Sequence, residues 1–354
     1  MSRSVKKVSR TVNAEGHQFD QTVGKPSEQE SKLPSDMMNW LHSIFGKSVD
    51  WKQAFMLSMV PLFIIAFSLE TLINRRRRAE STLNWKEVWA NIALGTTYQI
   101  MEPLGVALVT GSIYAWVYSK RLFDIPVDGW TILPIILSVE FCYYWFHRAS
   151  HRIRWFWAAH VVHHTGENMN FTTAARQSML NVVAGSFIFF LPPVLLGVPP
   201  AAVALILAVN LSYQYFIHTE LIRRLPGWIE YIFNTPSHHR AHHGRNDQYI
   251  DKNYGGMLII FDRMFGTFEE ERETVQYGIT QQIKSYNILV LNLHEFVDMW
   301  RDVMSPGPVW QRLQHLWRPP EWVRRGHEPI HTWTVDRNEP TGSESTPTPS
   351  TSAT

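Results

Sequence analysis

The chain has 354 residues, a net charge of +2 and a single cysteine, Cys142. So small a positive charge argues against nucleic acid as a partner, and one cysteine excludes an intrachain disulfide and any zinc site built from several cysteines. Charged residues make up only 18% of the chain and aromatic residues 13%, with fifteen tryptophans, which favours a membrane protein over a pair of soluble domains.

Both ends of the chain are polar. Residues 1–37 are rich in Ser, Lys and Glu, and residues 336–354 are rich in Thr, Ser, Pro and Glu. Segments with so little apolar content cannot bury enough surface to offset the entropy lost on ordering, so both are predicted to be disordered tails. We expect one main domain between them, at 38–285, followed by a helical segment at 286–335 on the membrane interface or in the cytosol.

Five apolar segments of the main domain are candidates for membrane crossings, since about 20 apolar residues span a bilayer core of ~30 Å. The segment at 88–118 is predicted to cross once with a kink at Pro103, and a hairpin is the alternative. The sequence therefore predicts an all-α, multi-span bundle with about five crossings, some of which could be re-entrant. The five segments are 54–73, 88–118, 130–146, 179–198 and 201–217.

Charged and aromatic residues predict how the bundle is oriented. Four arginines at 75–78 follow the first segment, and the positive-inside bias places that end in the cytoplasm. The apolar run at 286–297 is too short to cross and is predicted to be an interfacial helix. Tryptophans in the basic segment after it fit the headgroup region, although packing on a cytosolic cap would explain them equally well. They are Trp300, Trp310, Trp317 and Trp322.

Ten of the sixteen histidines lie between Glu140 and Asn246, in the patterns HxxxH, HxxHH and HxxHH with one further histidine between them. On a helix, offsets of three and four residues place the rings on one face with Cβ atoms about 5–6 Å apart, so each set can converge on one ion. With the crossings above, all ten emerge on one side of the membrane. They are His147, His151, His160, His163, His164, His218, His238, His239, His242 and His243.

Eight or more imidazoles exceed what one ion needs, so two metal ions fit the count. Imidazole suits zinc, copper, iron and nickel, but a metal pair at the cytoplasmic mouth of an apolar bundle would act on a substrate dissolved in lipid. Attack on an unactivated C–H bond there requires oxygen activation by a redox metal, which favours iron over zinc. The alternatives of another class are a histidine-rich metal-binding or transport protein, which would place its ligands along a path within the spans, and a structural metal-capped scaffold.

The order of these clusters between apolar spans resembles the fatty acid hydroxylase / sterol desaturase superfamily of membrane di-iron oxygenases. The resemblance covers about residues 51–271, and within the superfamily the chain is most similar to the alkylglycerol monooxygenase branch, which cleaves ether lipids. The motifs that carry it are YYWFHR at 143–148, TAARQS at 173–178, IHTE at 217–220, NTPSHHRAHHGRN at 234–246 and DKNY at 251–254.

The resemblance implies a catalytic domain at 38–285 that uses two iron ions and O2 to hydroxylate a C–H bond of an ether lipid, a fatty acyl chain or a sterol-like chain. It implies an external electron donor, which is tetrahydrobiopterin in the alkylglycerol branch and otherwise a cytochrome- or ferredoxin-type protein. Sterol or lipid desaturation stays open, because only the fate of the substrate radical differs. The expected location is a multi-pass membrane protein of the endoplasmic reticulum in a eukaryote, or of the inner membrane in a bacterium, with the active site facing the cytoplasm.

The family pattern also implies which residues act at the site. His218 ends a span and is expected to be a ninth ligand, and His238 is expected to bind iron or to orient a ligand. Glu140, two helical turns before His147, is expected to orient an imidazole. The eight iron ligands that the pattern itself implies are His147, His151, His160, His163, His164, His239, His242 and His243.

Several neighbouring residues receive weaker predictions. Tyr143 and Tyr144 are further candidates for orienting an imidazole. The acid and amide that follow the third cluster, Asp251 and Asn253, could hold ligand N–H groups or form a plain turn. Three arginines are expected either to meet lipid phosphate or to be solvated on the cap: Arg176, Arg240 and Arg245.

Overall fold

The computed structural model describes residues 51–77 and 83–333. All regular secondary structure in these ranges is helical, and the only β-pairing within them is two isolated bridges, Phe233 with Leu258 and Gly244 with Tyr277. The all-α prediction is therefore confirmed. The tails predicted at 1–37 and 336–354 lie outside the described residues, and the domain boundaries stay predictions.

Thirteen α-helices follow one another along the described chain. A π-helical turn, Val106–Thr110, joins the second to the third, and 3-10 turns occupy Phe171–Ala175, Ser186–Phe190 and Gln314–Leu316. The helices are α1 (Trp51–Arg76), α2 (Trp85–Gly105), α3 (Gly111–Ser119), α4 (Ile132–Arg152), α5 (Arg154–His164), α6 (Asn181–Ala184), α7 (Leu191–Leu196), α8 (Pro200–Ile217), α9 (Gly227–Ile232), α10 (Pro236–His242), α11 (Ile260–Phe265), α12 (Ile288–Met304) and α13 (Val309–Leu313).

Three helices of the described chain are long and apolar enough to cross a membrane: Trp51–Arg76, Trp85–Ser119 and Pro200–Ile217. On α1 the apolar side chains face outwards, and Leu57 and Ile64 are each 61% exposed. Exposed apolar surface of this extent suits hydrocarbon rather than water. The chain is therefore a membrane protein, with three of the five predicted crossings matched by a helix of sufficient length and apolarity.

The segment predicted at 88–118 is one continuous helix, so the hairpin alternative is wrong. Pro103 lacks the N–H that a helix interior needs, and the π-helical turn that begins at Val106 widens the helix at this point without ending it. The 35 residues from Trp85 to Ser119 would extend about 52 Å at 1.5 Å per residue. This length exceeds the ~30 Å hydrocarbon core, so the helix must tilt or project from the bilayer.

The segment predicted to cross at 179–198 is not one helix. It consists of α6, a 3-10 turn and α7, because Gly185 adopts a left-handed conformation with φ of 83° and two prolines, Pro192 and Pro193, restart the helix. At its end Gly197 also has a positive φ, and a Cβ there would lie 2.0 Å from the Phe123 carbonyl oxygen. Average hydropathy does not register these backbone requirements.

Two helices frame the part of the chain that carries the histidines. The 21-residue α4 packs through Ile135 and Val139 against Val194 of α7 and Val203 of α8. On another side α12 packs against α5, and the buried Arg154 of α5 pairs with Asp302 (2.6 Å) and Glu295 (2.7 Å) of α12. The segment predicted at 286–297 is helical, since α12 begins at Ile288 and ends at Met304, and its position at the membrane interface stays a prediction. Its Glu295 and Asp302 face α5, where they pair with Arg154.

Candidate metal centre

Nine of the ten predicted histidines meet in two buried groups. Within each group the candidate ligand nitrogens all lie within 4.8 Å of one another. Group 1 contains His147, His151, His160, His164 and His242, and group 2 contains His163, His218, His239 and His243. The two groups adjoin, since the ring centroids of His164 and His243 are 4.5 Å apart.

Four separate chain segments supply these rings. Helix α4 carries the two histidines of the first pattern on its last two turns, and α5 carries the three of the second pattern. His218 is the residue at which α8 ends, and the third pattern lies on α10 and its C-cap residue, His243. The spacing of three and four residues places the rings of each helix on one face, as predicted.

Backbone carbonyls fix the outer nitrogen of four rings. His147 Nδ1 donates to the Tyr254 carbonyl (2.8 Å), and His163 Nδ1 donates to that of Arg176 (3.1 Å). The other two bonds run from His218 Nδ1 to Gln214 (2.6 Å) and from His242 Nδ1 to Lys252 (2.8 Å). A carbonyl can only accept, so in each neutral ring the hydrogen sits on Nδ1 and the Nε2 lone pair points into the group.

The inner nitrogens are spaced as ligands of one ion would be. In group 2 the Nε2 atom of His218 lies 3.2 Å from that of His163 and 2.8 Å from that of His239. In group 1 the Nε2 atoms of His147 and His160 are 3.0 Å apart. Nitrogens bound at ~2.0–2.1 Å to a common ion lie about 2.8–3.4 Å from each other, for octahedral to tetrahedral angles.

The hydrogen-bonding state of group 2 suits a bound cation. His163 and His218 both have their hydrogen on Nδ1, so their Nε2 atoms are two lone pairs 3.2 Å apart and cannot bond to each other. In group 1, two ring nitrogens, His151 Nε2 and His242 Nε2, are buried without a hydrogen-bond partner. Buried polar atoms are normally satisfied, and a metal ion is the partner that suits clustered imidazole lone pairs.

Burial keeps these imidazoles in the form that binds metal. Desolvation is the largest cause that lowers the pKa of His163 and of His239 well below the usual value, and neighbouring imidazoles lower both further. A neutral ring with a free nitrogen is the ligand form, so no proton must leave before a metal ion binds.

Two buried side chains hold the segments that orient the rings. The Arg176 guanidinium donates to the Val162 carbonyl (2.9 Å), to the Thr165 hydroxyl (2.6 Å from Nη2) and to Asn91 Oδ1 (2.8 Å). Burial lowers the pKa of Arg176 to about 10. In α1, Glu70 accepts hydrogen bonds from the Thr219 hydroxyl (2.5 Å) and the Phe171 N–H (2.8 Å).

Two of the three arginines, Arg176 and Arg240, are bonded inside the protein instead of contacting phosphate or solvent. Arg176 is 2% exposed and bonded inside the protein. Arg240 is also internal, because its guanidinium bonds to three backbone carbonyls and to Glu271 at 2.6 and 2.8 Å. Only Arg245 is partly exposed. The first two therefore brace the cap, a role for which the sequence offers no signal because most of their acceptors are backbone atoms.

The predicted role of Glu140 also differs from its contacts. Its Oε1 accepts from the Asn210 amide, and its Oε2 accepts from the backbone N–H groups of Met257 (2.8 Å) and Leu258 (3.3 Å), rather than from an imidazole. It therefore fastens the segment just after Tyr254, whose carbonyl orients His147. The Tyr143 hydroxyl also bonds to no imidazole, since it donates to Gln214 Oε1 (3.2 Å).

Tyr144, Asp251 and Asn253 differ in how closely their side chains approach the grouped imidazoles. The Tyr144 hydroxyl lies 3.0 Å from that of Thr267. Asp251 Oδ1 lies 3.6 Å from His151 Nδ1, which is close enough for an ion pair but longer than a hydrogen bond. Asn253 donates to the carbonyls of His238 and Glu269, and it has a positive φ of 57°, as Asn tolerates.

His238 lies outside both groups. Its Nε2 is 3.2 Å from Glu230 Oε2, and Glu230 also accepts from the hydroxyls of Thr235 and Ser237. Burial raises the pKa of Glu230, but hydrogen bonds from His238, from the Leu225 N–H and from Thr235 outweigh it and lower the pKa to about 2. His238 therefore stabilises the start of α10, and its Nε2 lies against a carboxylate rather than against one of the nine grouped imidazoles, so its contacts match neither the predicted ligand role nor the predicted orienting role.

Comparison with known proteins places these residues in one domain. The family model described as fatty acid hydroxylase matches residues 132–267, which contain all ten histidines. Alkylglycerol monooxygenase of Homo sapiens is 38% identical over 264 residues, 74% of this chain and 58% of the relative. That of Danio rerio is 43% identical over 265 residues, with the same two shares. Ornithine lipid hydroxylase of Rhizobium tropici is 26% identical over 193 residues, 54% of this chain and 56% of the relative.

The chain thus spans little more than half the length of the curated relatives that it matches. No solved structure matches it significantly. The match to the family model covers the helices and turns that build both histidine groups, and the alkylglycerol monooxygenases align over most of this chain. Residues 132–267 are therefore a fatty acid hydroxylase domain, and alkylglycerol monooxygenases are among the relatives of the chain.

Proposed function

We propose that the protein is a membrane-bound oxidoreductase that hydroxylates a C–H bond of a lipid, with O2 and an external electron donor. The observation that carries the proposal is the pair of adjoining histidine groups, with inward-facing ring nitrogens 2.8–3.2 Å apart in group 2. The apolar helices beside them and the names of the relatives, which are monooxygenases and a hydroxylase of lipids, support a lipid as the substrate.

Each group would hold one ion. The five imidazoles of group 1 and the four of group 2 correspond to the nine predicted ligands. Both ions would be iron, because oxidation of an unactivated C–H bond favours a redox metal. Bound iron would supply the redox chemistry that O2 activation needs and that zinc lacks.

The protein's own residues prepare the site for this chemistry. The carbonyls of Tyr254, Arg176, Gln214 and Lys252 fix the ring orientations, so no ring needs to reorganise when the substrate arrives. Burial of eight of the nine rings excludes bulk water. The exception is His160, which is partly exposed and marks the accessible side of group 1.

The first candidate substrate is an ether lipid, because the alkylglycerol monooxygenases named above are 38% and 43% identical to this chain. Fatty acyl and sterol-like chains could be hydroxylated by the same reaction. A separate donor would supply two electrons, either tetrahydrobiopterin or a cytochrome- or ferredoxin-type protein. We place the protein as a multi-pass component of the endoplasmic reticulum or the bacterial inner membrane. Its metal centre would then face the cytoplasm, as the arginines after α1 favour.

Metal analysis and oxygen uptake test the proposal together. Purified full-length protein should contain about two iron ions per chain, as a two-metal site requires, and should consume O2 only when a lipid and a reductant are both present. Hydroxylated lipid should be the product. A fully folded sample that takes up only zinc would contradict the proposal in favour of a structural scaffold, and metal flux into liposomes without lipid oxidation would favour a transporter. A new double bond in the product would indicate a desaturase.

A further inference from the structure

The outward face of α12 is apolar. Leu289, Leu293, Trp300 and Met304 are 39–69% exposed, and their spacing by four and seven residues places them on one side of the helix. They extend along about 22 Å of the helix axis at 1.5 Å per residue. A surface helix in water turns its apolar stripe towards the protein core. The stripe of α12 is turned away from the core, so this face is suited to a medium other than water.

The inward face of α12 is polar instead. Asn292, Asp298 and Asp302 are each at most 3% exposed. Asn292 Oδ1 accepts from the Met179 N–H (3.0 Å), and Asp302 Oδ2 accepts from the Arg154 guanidinium (2.6 Å). These bonds fix which side of the helix faces the protein. With only 17 residues and acidic groups along one side, α12 is suited to lie at a membrane surface rather than to cross the ~30 Å hydrocarbon core.

Tryptophans extend the apolar face through α13 and the turn after it. Trp310 is 65% exposed and Trp317 is 40% exposed, with their ring centroids 5.1 Å apart. The sequence leaves open whether these tryptophans lie among headgroups or pack on the cap. The exposed rings of Trp300, Trp310 and Trp317 favour headgroups, because packing would have buried them. Trp322 differs, since its ring centroid lies 5.0 Å from that of the buried His315.

The charges beside this face are positive. The three acidic residues of α12 face the protein, and α13 has none. Arg301 and Arg318 are exposed, and each directly follows a tryptophan of the face. Glu321, the next acidic residue along the chain, pairs with Arg152 (3.3 Å). Exposed cations next to interfacial tryptophans attract anionic lipid headgroups, because the surface potential of an anionic leaflet is negative.

The same face adjoins a helix that can cross the membrane, Trp85–Ser119. Asn84, the N-cap of this helix, donates to the Tyr286 hydroxyl (2.7 Å), two residues before α12 begins. Asn91, two turns into the helix, accepts from Arg176 (2.8 Å), whose carbonyl orients a ring of group 2. The start of the crossing helix, α12 and the metal centre therefore lie on the same side of the bilayer.

We propose that the outward face of α12 and α13, the α12–α13 face, docks on a membrane leaflet that contains anionic phospholipid. Its apolar side chains enter the acyl region, and Arg301 and Arg318 meet lipid phosphate. The occupant is a bilayer rather than a second copy of the chain, because the face adjoins a crossing helix and two copies would bring like charges together. The face consists of Leu289, Leu293, Trp300, Met304, Trp310 and Trp317.

Docking would hold the metal centre at a fixed depth. Arg154, at the start of α5, pairs with Glu295 and Asp302 of α12, and α5 carries three of the nine grouped histidines. A face anchored in the leaflet thus keeps these rings next to the lipid. The inference goes beyond the proposed function and does not depend on which metal or reaction the centre supports.

Spin labels on the full-length protein test where the face lies. In a Cys142→Ala background, which removes the only cysteine, Leu293→Cys and Trp310→Cys each accept one label, and Glu328→Cys is the control at an exposed position outside the face. In nanodiscs that contain phosphatidylcholine and phosphatidylglycerol, dissolved oxygen should relax the labels at 293 and 310 more than a water-soluble nickel chelate does. The label at 328 should show the reverse.

Two results would overturn the proposal. Nickel access at 293 and 310 equal to that at 328 would place the face in water. Loss of access for both reagents at 293 and 310 would mean that protein covers the face, and spin–spin coupling between chains would then identify a second copy as the cover. Neither reading uses turnover or metal, so the failure of the proposed function would leave the result intact.

Arginine variants test the preference for anionic lipid. The wild-type face should place the label at 310 deeper in nanodiscs with phosphatidylglycerol than in phosphatidylcholine alone, and Arg301→Gln combined with Arg318→Gln should abolish this difference. Arg223→Gln combined with Arg272→Gln is the matched control, because both residues are exposed and lie outside the face. A depth that does not respond to phosphatidylglycerol would overturn the preference, as would an equal loss in both double variants.

Discussion

The Nε2 atoms of His163 and His218 face each other at 3.2 Å, although each ring already donates its Nδ1 hydrogen to a backbone carbonyl. Two lone pairs at this distance repel unless a cation lies between them. The contact therefore makes group 2 unfavourable without metal, and both rings should be indispensable for iron binding.

We predict that His163→Ala abolishes turnover and lowers iron affinity by more than ~100-fold, since even residues that only support a ligand account for about 10–100-fold. The spans should still insert, because His163 lies in the cap. Iron content and oxygen uptake of the purified variant measure the effect. His331→Ala is the control, as His331 is exposed and belongs to neither group. Normal iron content in His163→Ala would remove the ligand assignment.

Glu140→Ala should weaken iron binding although Glu140 touches no imidazole in its hydrogen bonds. Loss of its carboxylate leaves the N–H groups of Met257 and Leu258 without their acceptor, which costs about 1–3 kcal/mol for a buried donor. The displaced segment carries the Tyr254 carbonyl, so His147 would lose its orientation and iron affinity would fall by about 10-fold or more. Iron titration and thermal unfolding in detergent measure both effects. Unchanged affinity would mean that Tyr254 is held by other contacts.

Arg176→Lys should destabilise the cap even though the charge is conserved. The guanidinium bonds to two side chains and one carbonyl in different directions, and a lysine ammonium cannot reproduce this planar arrangement. We expect a loss of about 2 kcal/mol or more, because hydrogen bonds from charged groups contribute about 1.5–3 kcal/mol each. Arg245→Lys, at a partly exposed position, should change the unfolding temperature little. Equal effects of the two substitutions would contradict the bracing role of Arg176.

His315 should make docking of the segment at 318–333 depend on pH, because its ring lies 5.0 Å from that of Trp322 and 5.3 Å from that of His327 in this segment. Burial lowers the pKa of His315 from 6.5 to about 4, so the folded segment favours the neutral ring. A group whose folded pKa lies below its unfolded value destabilises the fold as pH falls through the window between them, here from about 6.5 to about 4. Limited proteolysis of this segment should accelerate across that window, and less so in His315→Phe. A rate independent of pH in the wild type would contradict the prediction.

The sequence predicted the metal centre better than it predicted the membrane topology. The HxxxH and HxxHH patterns place rings on a helix face by geometry alone, and nine of the ten histidines indeed meet in two groups. The segment at 179–198 has the composition of a span, yet the left-handed backbone of Gly185 separates α6 from the short helical stretch that follows, and Gly197 ends that stretch. Composition is a sum over residues, whereas a helix is interrupted by single positions.

The supporting contacts of the centre could not be predicted for a different reason. The sequence identifies Glu140 as a buried carboxylate, but its partners are the Asn210 amide and two backbone N–H groups more than 100 residues later in the chain. The carbonyls that hold His147, His163, His218 and His242 belong to residues of unrelated type. Every residue carries a carbonyl, so no side-chain pattern distinguishes those that orient a ligand.

The bond between His147 and the Tyr254 carbonyl spans 107 residues of chain. During synthesis, α4 will therefore have left the ribosome well before the residue that aligns its first imidazole exists. A metal ion could therefore bind the complete group only after the chain has been made as far as Tyr254, and the nascent helices would reach the bilayer with their rings unaligned. Iron insertion would then act as a checkpoint late in biogenesis, when a cell could separate finished protein from chains that stalled or misassembled.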